Sequence, residues 1–137
     1  MKERLIDTDI FSYYLKGDRE VVQKLLEYLK HFPLLNLSSI THYEILSGLY
    51  YKKATKQIET FQKLLTRCRI INIDADSIAF SAKEYGRLRR VGITISNSDL
   101  LIAGTAVKND FILSTNNTKH FKHIKGLVLT NWKEGQL

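Results

Sequence analysis

Five short apolar runs, at residues 5–6, 34–37, 69–73, 111–114 and 127–130, punctuate the chain, and between them apolar residues recur at helical spacing. This alternation constrains the fold more than any other feature, because a strand-length run and a helical stripe bury their faces with different periods. Val21, Val22, Leu25, Leu26 and Leu29 form one stripe. Ile40, Ile45, Leu46, Leu49 and Tyr50 form a second, and Ile58, Phe61, Leu64 and Leu65 a third. Ile78, Ala82, Tyr85 and Leu88 predict a further helix, closed by Gly92 as a residue suited to the left-handed conformation. Residues 100–107 are nearly all apolar or small, which predicts a buried helix. Strands alternating with helices imply βαβ units with right-handed crossovers. The expected fold is α/β, a three-layer α/β/α sandwich around a central parallel sheet of about five strands.

At 137 residues the chain has the length of one domain, spanning residues 1–137. No apolar run approaches the ~18 residues of a membrane span, and Met1-Lys2-Glu3-Arg4 lacks a signal peptide's apolar region. No membrane association is expected, and a cytoplasmic location is. Cys68 is the single cysteine; it reads as a small buried residue opening a strand rather than as a reactive thiol. Pro33, the single proline, opens a strand rather than a hinge. The formal charge is +7, carried in dispersed groups such as Lys52, Lys53 and Lys56, and Lys119, Lys122 and Lys125. Such an excess suits an anionic partner, although solubility alone also accounts for it.

Acids recur where strands hand over to helices. Asp7 ends the first apolar run. Glu44 follows the second, in Ser38-Ser39-Ile40-Thr41-His42-Tyr43-Glu44, and Asp99 precedes the buried helix. The fourth run ends in Ser114-Thr115-Asn116-Asn117. In a parallel sheet all of these lie at the carboxyl edge, where open α/β sheets bind ligands. Taken singly, each acid has a plain account: Thr41-x-x-Glu44 and Ser96-x-x-Asp99 match the capping box, and Asp7 or Asp9 suits a helix N-cap. Taken together they pose a conflict, because gathered carboxylates repel one another unless a cation is present.

Four segments carry a resemblance. They are Leu5-Ile6-Asp7-Thr8-Asp9-Ile10, Ser39-Ile40-Thr41-x-x-Glu44-Ile45-Leu46-x-Gly48, Ser98-Asp99-Leu100-Leu101-Ile102-Ala103, and Leu113-Ser114-Thr115-Asn116-Asn117-x-x-His120-Phe121. In order and spacing they resemble the four motifs of PIN domains, and most nearly those of VapC-type toxins of bacterial toxin–antitoxin pairs. The resemblance runs through Leu129-Thr130-Asn131-Trp132. It implies a Mg²⁺-dependent endoribonuclease, with Mn²⁺ as an alternative ion. It carries catalytic roles onto Asp7, Glu44 and Asp99, with Asp7 and Asp99 as metal ligands. It also implies three partners: an RNA substrate, a cognate antitoxin and a second copy of the chain as a homodimer. The sequence departs from such toxins at Asp9, where Asn is usual, and at Asn116 and Asn117, where many PIN domains place a fourth acid.

Two other readings compete. Asp7-Thr8-Asp9 also resembles the DxD of haloacid-dehalogenase-type phosphatases, but Ser114-Thr115-Asn116-Asn117 supplies none of the late acids that family needs. A non-catalytic basic RNA-binding module would use the acids only as caps, and no aromatic RNA-binding signature accompanies it. His120 and His123 read as a solvated helix face without an accompanying acid. Tyr13, Tyr14, Tyr50 and Tyr51 read as helix packing or a partner surface rather than base-stacking platforms.

Overall fold

In the computed structural model, which describes residues 2–133, the apolar runs become strands and the stripes become helices. The order is β1 (Arg4–Ile6), α1 (Thr8–Leu15), α2 (Arg19–His31), β2 (Leu35–Ser38), α3 (Ser39–Tyr51) and α4 (Thr55–Leu65). It continues with β3 (Cys68–Ile71), α5 (Ala75–Arg90), α6 (Asn97–Lys108), β4 (Ile112–Ser114), α7 (Thr118–Phe121) and β5 (Leu129–Thr130). The strands form one sheet in the order β3-β2-β1-β4-β5, with every neighbouring pair parallel. Strand ends differ from the sequence expectation by one or two residues, as hydrogen bonding rather than apolarity sets where a ladder stops.

Adjacent residues on β1 face opposite layers, which makes the sandwich. Ile6 joins Ile10, Phe11, Leu25, Leu37 and Phe61 under α1–α4, whereas Leu5 joins Leu88, Leu100, Ile102 and Leu113 under α5 and α6. The α/β/α architecture is therefore as expected, and α6 is buried as expected, at Leu100 and from Ile102 through Ala106. Gly92, at φ +80, follows α5 in the left-handed region. Among the described residues no helix is long and apolar enough to cross a membrane.

Three stripes depart from expectation. Leu26 is 54% exposed, and Tyr28 takes the inward position on α2 instead. The Tyr28 ring stacks on Phe32 at 4.7 Å, and its hydroxyl accepts the Arg4 N–H at 3.0 Å. On α3, Ile45 and Leu49 are core while Tyr50 is exposed. The largest departure is α5, which turns Ile78, Ala82 and Tyr85 outward and buries Ser77, Ser81, Glu84 and Leu88. The cause is the close approach of α6: a Cβ at Gly104 would collide with Ser81 Oγ and sit 2.7 Å from the Ser77 carbonyl oxygen. Only small residues fit there, and the Ser81 hydroxyl donates to the Leu100 carbonyl at 2.6 Å. Glu84 tolerates burial because Arg87 pairs with both its oxygens at 2.8 Å and the Lys125 N–H donates to it.

Gly104→Ala is therefore expected to destabilise by about 1–3 kcal/mol, as overpacking does. Its melting temperature should fall by roughly 4–12 °C. An unchanged melting temperature would show that the α5–α6 contact is loose.

Candidate active site

Because the sheet is parallel, β1, β2 and β4 deliver their carboxyl ends to one edge. There a cleft of about 400 Å³ opens, lined by Asp7, Thr8, Asp9, Ser12, Tyr13, Lys16, Glu44, Asp99 and Asn117. All three acids singled out in the sequence line it, and Asp9 joins them.

Asp7 is both a helix cap and a site carboxylate. It accepts the Thr8 N–H at 2.8 Å at the start of α1, and its other oxygen accepts the Thr115 hydroxyl at 2.8 Å. Only 4% of its surface is exposed. Burial, and then the neighbouring Asp9 charge, push its carboxyl up to about 8. A cap on the protein surface meets no such penalty, so the capping role alone does not account for this environment.

Asp9 is the second residue of α1, in its first turn. One oxygen accepts the Asn116 N–H at 3.0 Å, tying α1 to the loop after β4. The other, Oδ1, is buried with no hydrogen-bond partner among the described residues. Burial raises the pKa of this carboxyl above the usual range. Asp99, near the start of α6, is raised by burial too and by the Glu44 charge.

The two capping boxes resolve differently. Ser96 caps α6 and accepts the Asp99 N–H at 3.2 Å, as the spacing predicts. Thr41 does not cap α3; Ser38 does, accepting the Thr41 N–H at 3.0 Å. Glu44 is thereby left in the second turn, where its carboxylate accepts the Thr8 hydroxyl at 2.7 Å. Thr8 Oγ1 lies 3.1 Å from Thr41 Oγ1, so a line of hydroxyls braces the acid.

At the fourth corner the two asparagines differ. The Asn116 side chain donates to Tyr13 Oη at 3.1 Å and accepts from Asn131 at 2.9 Å, holding the loop to α1 and β5. Asn117 lines the cleft; its amide lies 3.1 Å from His120 Nδ1. Thr115 links the two sides, donating to Asp7 while accepting the Asn117 N–H at 3.0 Å.

His120 corrects the sequence reading. It is exposed, but the fold brings an acid to it, Asp99, at 3.9 Å from its Nδ1. His123 remains at the surface. Thr8 and Thr115 were not singled out beforehand as site residues, because their roles depend on which strands become neighbours; of the two asparagines offered for the fourth corner, Asn117 is the one that lines the cleft. Cys68 opens β3 as expected; burial pushes its thiol up to about 12, which makes it inert. Tyr13 and Tyr14 pack against the core, whereas Tyr50 and Tyr51 are exposed.

Among the described residues no group of three or more His, Cys, Asp or Glu side chains is placed to hold a metal ion as it stands. The donor set lining the cleft nevertheless suits a hard cation by its chemistry. It is all oxygen, three of its carboxyls are desolvated, and Asp9 Oδ1 is buried without a partner. Mg²⁺ favours such sites, retaining several waters and taking one or two carboxylates.

The family model described as the PIN domain matches residues 4–127. This chain belongs to the PIN domain family. Ribonuclease VapC2 of Rickettsia felis is 32% identical over 129 residues, which cover 93% of this PIN domain chain and 96% of that protein. Ribonuclease VapC1 of Methanocaldococcus jannaschii is 31% identical over 121 residues, covering 88% and 80% respectively. Among solved structures, VapBC2 from Rickettsia felis bound to a DNA fragment from its promoter superposes with a TM-score of 0.85 at 31% identity, covering 94% of this chain and 98% of that one. The PIN-like fold expected from the four motifs is thus the fold observed.

Proposed function

We propose that the cleft is the active site of a divalent-metal-dependent endoribonuclease that hydrolyses RNA phosphodiester bonds. On this reading the chain is the toxin of a toxin–antitoxin pair. The observation that carries it is the convergence of Asp7, Asp9, Glu44 and Asp99 on one cleft at the carboxyl edge of the sheet. The two VapC relatives are named ribonucleases, and the matched structure is a VapBC complex.

Asp7 and Asp99 would hold Mg²⁺ or Mn²⁺. Such an ion, when bound, polarises the phosphodiester and lowers the pKa of the attacking water. Glu44 would orient the attacking water, its own carboxylate held by Thr8. Thr115 fixes the second oxygen of Asp7, and Asn117 contributes an uncharged amide at the fourth corner. Asp9 adds negative charge beside Asp7, which offsets part of the charge that Asn117 lacks. The excess of cations draws RNA toward an edge that its acids would otherwise repel.

The proposed partners are RNA, a cognate antitoxin and a second copy of this chain, acting in the cytoplasm. Exposed Ile78 and Tyr85 on α5 give a copy an apolar surface to cover. The phosphatase and non-catalytic readings draw no support from the family match.

The test is cleavage of a purified RNA with and without EDTA. The expected result is cutting with Mg²⁺ or Mn²⁺, none with chelator, and recovery when Mn²⁺ is restored. Cleavage undiminished by chelator would overturn the metal-dependent mechanism. Sequencing the new 5′ ends would then define the target.

A further inference from the structure

The acid cleft does not end at Glu44. A second, narrower groove of about 100 Å³ continues from it between α1, α3 and α4, sharing Thr8, Ser12, Lys16 and Glu44 with the cleft. Beyond Glu44 it contains no further acid, and its charged lining becomes Lys16 and Lys52. Both lysines are exposed. Neither ammonium has an ion-pair partner among the described residues.

Gly48 lies along this groove, four residues beyond Glu44 on α3 and so on the same side of the helix. Glycine is a poor helix former, and an interior helical position normally disfavours it. No positive φ requires it here, and a Cβ would meet nothing within 4 Å. Neither backbone conformation nor packing inside this chain explains the residue. Open space above it does: any larger side chain would fill the groove.

We propose that this groove carries the RNA strand on one side of the scissile phosphate, with Lys16 and Lys52 holding its backbone and Gly48 keeping its floor clear. The inference rests on the nuclease reading above and extends it by giving the substrate a direction. Charge favours this occupant, since two unpaired ammoniums follow a cluster of carboxylates, the order a phosphate chain needs around a metal site. Recognition through phosphates makes these positioning residues tolerant of sequence.

The experiment measures KM, kcat and salt dependence for cleavage of a single-stranded oligoribonucleotide in Mn²⁺ by the full chain. Lys16→Ala and Lys52→Ala are each expected to raise KM about fivefold to tenfold. Each should also reduce the slope of log(kcat/KM) against log[salt] by about 0.7, the loss of one single-strand phosphate contact. Gly48→Leu is expected to raise KM at least tenfold while its melting temperature stays level or rises, which separates blockage from misfolding. Lys30→Ala, on exposed surface at the far end of α2, serves as the unchanged control. Wild-type KM and salt slope in all three variants would overturn the groove assignment and leave the nuclease reading standing. Intact RNA kinetics in Gly48→Leu with loss of a protein partner would make the groove a protein-docking site and also overturn it. No cleavage by the wild-type chain would sink the nuclease reading itself, and this inference with it.

Discussion

Asp7→Asn is expected to lower RNA cleavage by more than about 100-fold while the fold survives, and Asp99→Asn to do the same. Loss of a group that merely supports a metal ligand typically costs 10–100-fold, so loss of a ligand's charge should exceed that. The fold should tolerate the change for reasons visible at Asp7. An amide is isosteric with the carboxylate, its oxygen still accepts the Thr8 N–H, and Thr115 Oγ1 has acceptor capacity for the new N–H₂ group. The substitution also replaces an ionisable group with a neutral one at a position only 4% exposed, so the fold no longer bears the desolvation and Asp9 repulsion that ionising Asp7 brings. Kinetics and melting temperature must be read together. Wild-type activity in either variant would sink the assignment; lost activity with lost folding would leave catalysis and structure unseparated, and Asp7→Glu would then distinguish them.

How far the sequence showed this site depended on locality. Asp7, Glu44 and Asp99 stood out because each sits beside an apolar run, and a parallel sheet brings all such boundaries to one edge. Their support did not stand out. Thr8 reaches Glu44 across 36 residues and Thr115 reaches Asp7 across 108, distances that no spacing rule covers. The error at α3 was of another kind. Ser38 and Thr41 both suit an N-cap, and pattern alone favoured Thr41, whose use would have bound Glu44 back into its own helix.

The fold shows the same division. The alternating β and α periods gave the layers, and the apolar density of residues 100–107 gave the buried helix. Helix α5 failed because its apolar residues form a stripe that is real but faces outward. What turned it was Gly104 on another helix, whose missing side chain lets Ser77 and Ser81 approach and favours small residues at the contact. Glu84, which polarity alone would place outside, went inside because Arg87 lies one turn away on the same helix to neutralise it. His120 illustrates the converse case. Nothing local gives it an acid; the fold brings Asp99, near the start of α6, to 3.9 Å from its Nδ1.

In metal-free protein, stability is expected to fall as pH rises from about 5 to 8, and Mn²⁺ to reverse that trend. Burial and the Asp9 charge push the Asp7 carboxyl from its ordinary 3.8 up to about 8, so between those values the folded chain binds more protons than the unfolded chain. Linkage then makes stability decrease with rising pH, by at most about 1.4 kcal/mol per pH unit for one proton. Asp9 and Asp99, also raised, act in the same direction. Carboxyls with lowered pKa values, Asp18, Asp74 and Glu84, act oppositely, but their window lies below the usual carboxylate range and so below pH 5. A divalent ion binds the ionised site and adds stability that grows with occupancy, about 2.7 kcal/mol at a hundredfold excess over Kd. That gain should be largest near pH 8, where deprotonation of Asp7 otherwise costs the fold most. Melting curves from pH 5 to 8, in EDTA and in Mn²⁺, provide the measurement. Asp7→Asn should flatten the EDTA curve and blunt the Mn²⁺ response. A metal-free melting temperature that rises over this range, or the same Mn²⁺ response in Asp7→Asn as in the wild type, would mean that these carboxylates are helix caps and not a cation site.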